Sequence, residues 1–168
     1  VVLPQSEAYD FLVYCMRNPK PCPVIEVFDP GDPISKFAAP GADMRTDLSR
    51  YAVSRFGESQ GTCTDITELW AQDSVALLMG SSLTFDHALQ RAGVKASPEV
   101  WVLKTSIQTQ KAGRFSGPLI VTMRWMTSTQ AIIATQLTAR FAWNHGSPIH
   151  IGDPADIGAD LEHPIWGK

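Results

Sequence analysis

The sequence has 168 residues, a formal net charge of −3, 44% hydrophobic residues and 18% charged residues. This balance excludes a disordered chain and is sufficient for a sizeable core. The scattered Lys and Arg residues exclude nucleic acid as an expected partner, and the longest apolar run, residues 75–79, is far shorter than the ~20 residues that span a membrane.

The first predicted element is a helix over residues 6–17, with Ser6 as its N-cap. It is expected to end near Asn18, because three prolines follow within residues 19–23. The residues expected to face the core recur at helical spacing. They are Ala8, Phe11, Leu12, Cys15 and Met16.

Short apolar runs predict the next elements as strands. They cover residues 24–28, 51–56 and 74–79. The second strand is expected to turn back as a hairpin at Gly57-Glu58, and Asp65 is expected to cap a short helix before the third strand.

A turn of small residues, Gly80-Ser81-Ser82, follows the third strand and precedes a helix predicted over residues 84–92. Such a turn presents backbone N–H groups that can hold a carboxylate or a phosphate. Many α/β units use the same turn only for close packing of strand and helix. Both interpretations stay open, with Ser81 and Ser82 as the candidate donors.

The second half of the chain is predicted to contain strands over residues 100–103 and 119–123 and a helix over residues 129–140. The β-branched residues of the last segment leave a strand interpretation open. Strands interleaved with helices indicate an α/β fold, with a mixed sheet and flanking helices.

Residues 41–47 combine two carboxylates, a guanidinium and a hydroxyl in a turn-rich segment. Arg45 is suited to bind a substrate carboxylate through a bidentate fork, and Asp43 is a candidate general base. Thr46 and Asp47 are candidate substrate-binding residues. The alternative is an Arg–Asp pair that only fixes the turn.

Residues 111–118 form a second cationic loop, in which Arg114 and Ser116 are candidate substrate-binding residues. The alternative is a solvated loop without a ligand. Arg114, like Arg45, carries the planar fork that binds carboxylates in a bidentate way.

Residues 145–154 contain two histidines and an aspartate. Pro148 prevents a regular helix between His145 and His150, so the helical HExxH zinc motif is absent. Proton transfer by one histidine is favoured over metal binding, and Asp153 is a candidate substrate-binding residue. The alternative is a pair of histidines that only stabilise a turn.

The three cysteines, Cys15, Cys22 and Cys63, are a low and odd number, typical of a reducing compartment. We therefore expect a cytoplasmic protein, or a mitochondrial matrix protein if the source is eukaryotic. No CxxC spacing is present, so no thiolate zinc site is expected. Cys22 lies between two prolines and is a candidate catalytic group if the fold brings a histidine to it.

Several ordered strings resemble the D-glutamate cyclase family, whose members are also labelled hydro-lyases. In chain order the resemblance is carried by RNPKPCP at residues 17–23, GAD and RTDL within 41–48, TDI and LW within 64–70, GRFSGP at 113–118, and HG with GDP within 145–154. The match covers nearly the whole chain.

The resemblance implies two interlocked subdomains and a carbon–oxygen lyase that cyclises D-glutamate to 5-oxo-D-proline with loss of water. Such a reaction needs carboxylate clamps, an acid/base group and donors to an oxyanion. Arg45 and Arg114 are the expected carboxylate clamps, and His145 or His150 is the expected acid/base group. Ser81 and Ser82 are the expected donors to the oxyanion. These segments are expected to line one cleft.

The expected partner is a small amino dicarboxylate or related acid, and a homo-oligomer is left open. No cofactor is expected, because GxGxxG, the Walker loop and a PLP-type lysine context are absent. The family runs longer at both ends, so residues 1–168 are expected to be the core of one α/β enzyme unit. Ser81 stands where the resemblance implies a cysteine. The alternative function is therefore a non-catalytic carboxylate-binding module or an inactive relative.

Overall fold

The computed structural model describes residues 1–95 and 99–167. Within these residues the chain forms three α-helices and eight strands. In chain order they are β1 (Val2–Pro4), α1 (Gln5–Arg17), β2 (Val24–Val27), β3 (Tyr51–Arg55), β4 (Glu58–Cys63), β5 (Ser74–Met79), α2 (Asp86–Arg91), β6 (Trp101–Gln108), β7 (Pro118–Met123), α3 (Ser128–Thr138) and β8 (Trp166–Gly167). This mixture of helices and strands confirms the predicted α/β class.

The strands form three small sheets, with the orders β1-β5-β2, β3-β4 and β7-β6-β8. The pairs β1–β5, β3–β4, β6–β7 and β6–β8 are antiparallel. Short connections explain the antiparallel direction of two of these pairs, β3–β4 and β6–β7. Phe56 and Gly57, both with positive φ, form the tight hairpin between β3 and β4. Residues 109–117, between β6 and β7, are fewer than the dozen or so that a parallel crossover needs.

The chain divides into two compact units, each made of two segments. The first unit contains Val1–Tyr9 and Ile25–Leu78, and the second contains Asp10–Val24 and Met79–Lys168. The β3-β4 hairpin belongs to the first unit, and the β7-β6-β8 sheet belongs to the second with α2 and α3. The interlocking of two subdomains stays a prediction.

The core of the first unit is centred on Phe28, Met44 and Ala76, which are all buried. Around them pack Ala42, Trp70 and Leu78. The loop that follows β2 is held to that strand by Glu26, whose carboxylate accepts four hydrogen bonds. The donors are Ser35 Oγ at 2.7 Å and the backbone N–H groups of Lys36, Phe37 and Ala38 at 2.7, 3.0 and 2.9 Å.

The core of the second unit is centred on Leu89, Val94 and Ala134, which join α2 to α3. Helix α3 begins with a capping box, in which Thr127 Oγ1 accepts from the Gln130 N–H and the Gln130 side chain accepts from the Thr127 N–H. The helix interpretation of this segment is thus confirmed over the strand interpretation. The two orphan donors satisfied here fix where the helix starts.

The predicted core face of α1 needs one correction. Met16 is 69% exposed, because it lies about 100° around α1 from the buried Cys15. In α3 the buried residues are Ala134 and Thr138, one turn apart, whereas Ile132 is 59% exposed. The Thr138 hydroxyl can be buried because it donates to the Ala134 carbonyl at 2.7 Å.

Among the described residues, none of the helices is both long enough and apolar enough to cross a membrane.

Candidate functional site

The Pro-rich turn after α1, defined as residues 18–23, is attached to Gln110, which directly precedes the cationic loop of residues 111–118. Asn18 is 7% exposed, and its side-chain amide donates to the carbonyls of Tyr14 and Gln110, each at 2.8 Å. In return the Gln110 N–H donates to Asn18 Oδ1 at 2.8 Å. Arg17 also donates to the Lys111 carbonyl. A buried amide with its hydrogen bonds satisfied fixes the relative position of the two segments.

Lys20, in the same turn, is joined to His145 by hydrogen bonds in both directions. The Lys20 carbonyl lies 2.9 Å from His145 Nδ1. The Lys20 ammonium donates to the His145 carbonyl at 3.2 Å and to the Ser147 carbonyl. Segments 125 residues apart in the chain therefore meet here.

The turn after β5 contacts both the Pro-rich turn and the segment just before His145. Gly80 is buried, and its N–H donates to the Pro23 carbonyl at 2.9 Å. A Cβ at Gly80 would lie 1.7 Å from the Trp143 carbonyl oxygen, so no other residue fits without movement of the backbone. Asn144 Nδ2 donates to Thr84 Oγ1 at 3.1 Å. We call the meeting of the Pro-rich turn, residues 80–84 and residues 142–147 the His145 junction.

The hydrogen bond of His145 determines which ring nitrogen is available for chemistry. A carbonyl oxygen can only accept, so Nδ1 carries the proton when it bonds to the Lys20 carbonyl. In the neutral ring, Nε2 then holds the lone pair and can take a proton from a ligand. The half-buried His145 has a φ of 77°, a left-handed conformation that costs a non-glycine residue about 1–2 kcal/mol. The surrounding bonds must supply that energy.

The second candidate acid/base group lies in a local turn of its own. His150 Nε2 bonds to the Asp153 carbonyl at 2.9 Å and lies 3.7 Å from the Asp156 carboxylate. Asp153 Oδ1 accepts from the Ala155 N–H at 2.9 Å and caps the short helix Pro154–Ile157. Both predicted residues thus have structural partners within a few residues of sequence, as the turn interpretation expects.

Ser81 and Ser82 lie at the start of the short helix Ser82–Phe85. Ser81 is its N-cap, and its hydroxyl accepts from the Leu83 N–H at 3.3 Å. Ser81 is exposed, and Ser82 is half-buried. Gly80 thus packs closely against Trp143 and Pro23, while the Ser81 hydroxyl stays on the surface beside it.

Arg114 and Ser116 are both exposed on the cationic loop. The loop is closed by a bridge between Ala112 and Phe115, and the Phe115 ring packs edge-on against Phe11 at 5.1 Å. These contacts within the second unit fix the base of the loop. Arg114 and Ser116 therefore lie at the surface of a loop whose backbone these contacts hold in place.

Cys22 is half-buried beside the buried Cys15, and all three cysteines of the chain are free thiols. Burial raises the pKa of the Cys22 thiol, and burial together with the neighbouring Cys22 raises the pKa of Cys15 to about 12. A neutral thiol is a poor nucleophile, because the thiolate is the reactive form. The protonation state of Cys22 at pH 7 therefore suits a hydrogen-bond donor better than a nucleophile.

The remaining candidates lie in the first unit, in the turn of residues 43–47. The Arg45 guanidinium forks onto Asp43, with Nε to Oδ1 at 2.9 Å and Nη2 to Oδ2 at 2.7 Å. The hydrogen bonds from the Arg45 fork lower the pKa of Asp43, and they outweigh desolvation, which would raise it. Asp47 Oδ2 accepts from the Asp43 N–H at 2.8 Å, and Thr46 Oγ1 donates to Asp47 Oδ1 at 3.3 Å. This geometry matches the turn-fixing interpretation.

The structure therefore brings together some of the predicted segments and not others. Within the second unit, hydrogen bonds join the segments of Cys22, Ser81 with Ser82, and His145, and they attach the loop of Arg114. His150 and Asp153 form a separate turn. That all the candidates line one cleft stays a prediction.

Sequence reasoning missed Lys20, Thr84 and Asn144 as members of the junction. The signal available for Lys20 was its position inside the RNPKPCP string. Among the described residues, no group of three or more His, Cys, Asp or Glu side chains is arranged to hold a metal ion.

Comparison with known proteins identifies the family. A family model described as D-glutamate cyclase matches residues 75–168. A protein of Geobacillus kaustophilus named "Putative hydro-lyase" is 47% identical over 173 residues, covering 99% of this chain and 66% of that relative. Relatives of the same name in Corynebacterium urealyticum and Stutzerimonas stutzeri are 45% and 44% identical, covering 99% and 100% of this chain.

The chain belongs to the D-glutamate cyclase family. It spans about two thirds of the length of the relatives it matches, at 66% for each of these three. The resemblance read from the ordered motifs is thereby confirmed.

Proposed function

We propose that the protein is a hydro-lyase that converts D-glutamate to 5-oxo-D-proline with loss of water. Membership of the family supports the class of reaction. The observation that carries the proposal is the His145 junction, where two motif segments and the turn after β5 meet and the Lys20 carbonyl engages Nδ1 of the His145 imidazole. That bond leaves Nε2 available as an acid/base atom.

The reaction forms one carbon–nitrogen bond and breaks one carbon–oxygen bond. His145 Nε2 takes a proton from the α-ammonium of D-glutamate, and the free amine attacks the side-chain carboxyl carbon. The protonated imidazole then gives a proton to the departing oxygen. The neutral imidazole then takes the second proton from the attacking nitrogen and gives it to the same oxygen, so both protons lost by the ammonium leave in the water and the enzyme ends in its starting state. One imidazole can act in both directions, because Nε2 accepts a proton in the neutral ring and donates it in the charged ring.

The other candidate residues have roles in binding and in charge stabilisation. Arg114 is the proposed clamp for the α-carboxylate, through its bidentate fork. The hydroxyls of Ser81 and Ser82 are the proposed donors to the oxyanion that develops on the attacked carboxyl group. Holding both ends of the substrate brings amine and carboxyl together, an effect worth ~7–11 kcal/mol in favourable cases.

The alternative is a non-catalytic module that binds a small carboxylate. The observation that favours it is Ser81, which stands where the family resemblance implies a cysteine. A serine hydroxyl can still donate a hydrogen bond, but it cannot supply thiol chemistry. This module would bind D-glutamate without converting it.

Proton NMR of the purified protein with D-glutamate tests the proposal, with L-glutamate as the matched control and a calorimetric titration on the same sample. We expect the signals of D-glutamate to be replaced by those of 5-oxoproline, and those of L-glutamate to persist. Binding without conversion would favour the carboxylate-binding module instead. If the protein neither binds nor converts D-glutamate, both the hydro-lyase and the carboxylate-binding module are contradicted.

A further inference from the structure

Lys20 engages the proposed acid/base residue through both its side chain and its backbone. Its ammonium donates to the carbonyls of His145 and Ser147, and its own carbonyl accepts from His145 Nδ1. Within the described part of the chain, no carboxylate lies within 4.0 Å of this ammonium. The half-buried charge is therefore compensated by carbonyl oxygens of the turn that carries His145.

The backbone of Lys20 is held rigidly. Pro19 and Pro21 flank it and restrict its conformation. On either side, the Cys22 N–H donates to the Asn18 carbonyl at 3.0 Å, and Asn18 is buried with its amide satisfied. The direction of the Lys20 carbonyl is consequently set by the turn and does not depend on the ammonium.

The backbone of His145 is in contrast held against its preference. Its φ of 77° and the φ of 67° at Gly146 give two successive left-handed residues. The Lys20 ammonium bonds to the carbonyls on both sides of Gly146, and a Cβ at Gly146 would lie 3.9 Å from it. These two bonds hold the left-handed pair in place and bring the imidazole to the Lys20 carbonyl.

Resting on the proposed function, we propose that Lys20 is a positioning residue that fixes the His145 imidazole with its proton on Nδ1, so that Nε2 faces the substrate as the reactive nitrogen. Without the ammonium, the turn is free to leave the left-handed conformation, and Nδ1 loses the carbonyl. A histidine ring without such a bond prefers its proton on Nε2. The proton of the His145 ring therefore moves from Nδ1 to Nε2 when the bond to the Lys20 carbonyl is lost. The substrate would then meet an N–H donor in place of a base.

Nitrogen-15 NMR of the imidazole rings tests this directly, in the wild-type protein and in Lys20→Met. The His145 signals are assigned by their loss in His145→Gln. The matched control is Lys104→Met, which replaces an exposed lysine on β6. We expect Nδ1 to carry the proton in the wild type and in Lys104→Met, and Nε2 to carry it in a large share of Lys20→Met. The kcat of Lys20→Met for D-glutamate should fall at least about tenfold, with KM nearly unchanged.

Retention of the Nδ1 proton in folded Lys20→Met would overturn the inference. A changed proton position with an unchanged kcat would overturn it as well. Should Lys20→Met fail to fold, Lys20→Gln is measured in the same way, since its side chain is uncharged and one atom shorter than that of lysine. Failure of the proposed function is separate, because it would show as no conversion by the wild type, while the NMR signals would still decide the role of Lys20.

Discussion

At the scale of single residues, Glu26 orders the loop after β2 through its four hydrogen bonds. Partial desolvation alone would raise the pKa of Glu26, but the four donors outweigh it and lower the pKa from its ordinary value of 4.5 to about 2. A carboxylate with a lowered folded-state pKa stabilises the protein above its unfolded value. That stabilisation is lost as the pH falls from about 4.5 towards 2.

The change Glu26→Gln tests this residue. We expect a lower melting temperature at pH 7, because the amide places N–H groups against the backbone donors of the loop. The difference from the wild type should shrink as the pH falls from about 4.5 towards 2, because the carboxylate of the unfolded wild type takes up a proton in this range while the folded one does so only near pH 2. Glu68→Gln, an exposed glutamate, is the control. A difference that stays constant down to pH 2 would disprove this role of the charge.

Arg45 allows its two interpretations to be separated. Because its fork is engaged by Asp43, we expect Arg45→Ala to lower the melting temperature and Arg45→Lys to lower it less. Affinity for D-glutamate in the folded fraction should be unchanged, and exposed Arg50→Ala should change neither quantity. If Arg45→Lys instead weakens D-glutamate binding at an unchanged melting temperature, Arg45 is a substrate clamp.

At the scale of elements, the capping box of α3 gives a defined energetic prediction. Thr127→Ala should destabilise the protein by about 1 kcal/mol, because the Gln130 N–H loses its acceptor. Thr129→Ala, two residues further along the exposed first turn, should be neutral or slightly stabilising, because alanine is the better helix former. Urea unfolding of the two variants measures both values. Equal effects would mean that the cap contributes nothing.

Elements with strong local signals were predictable from the sequence. Strands β2 and β5, predicted from their apolar runs, were confirmed. The β3-β4 hairpin was also confirmed, but its turn lies one residue earlier than predicted, at Phe56-Gly57, because Glu58 already belongs to β4. Strand β6 was predicted only to Leu103, yet it continues to Gln108. The missed part has buried Thr105 at an inward position, where its hydroxyl donates to the Leu119 carbonyl at 2.9 Å. A polar residue with a distant partner leaves no signal in a hydrophobic pattern.

At the scale of the whole molecule, ordered motifs located the segments of the His145 junction, but not their contacts. Lys20 meets His145 across 125 residues of chain, so no spacing rule connects the two. The same holds for Gly80, whose fit against the Trp143 carbonyl depends on tertiary packing. One hydrogen bond, from His145 Nδ1 to the Lys20 carbonyl, likewise determines that Nε2 is the available nitrogen, and only the three-dimensional structure shows this bond.

The most direct measurement is the kcat for D-glutamate of the wild type, His145→Gln and His163→Gln, with folding checked by circular dichroism. His163 is the matched control, because its side chain is 83% exposed and bonds only to Asp160 among the residues described. Loss of an acid/base group typically costs 10²–10⁴-fold, so we expect a loss of about that size in His145→Gln and an unchanged kcat in His163→Gln. A folded His145→Gln that retains the wild-type kcat would contradict the assignment of the acid/base group to the His145 junction.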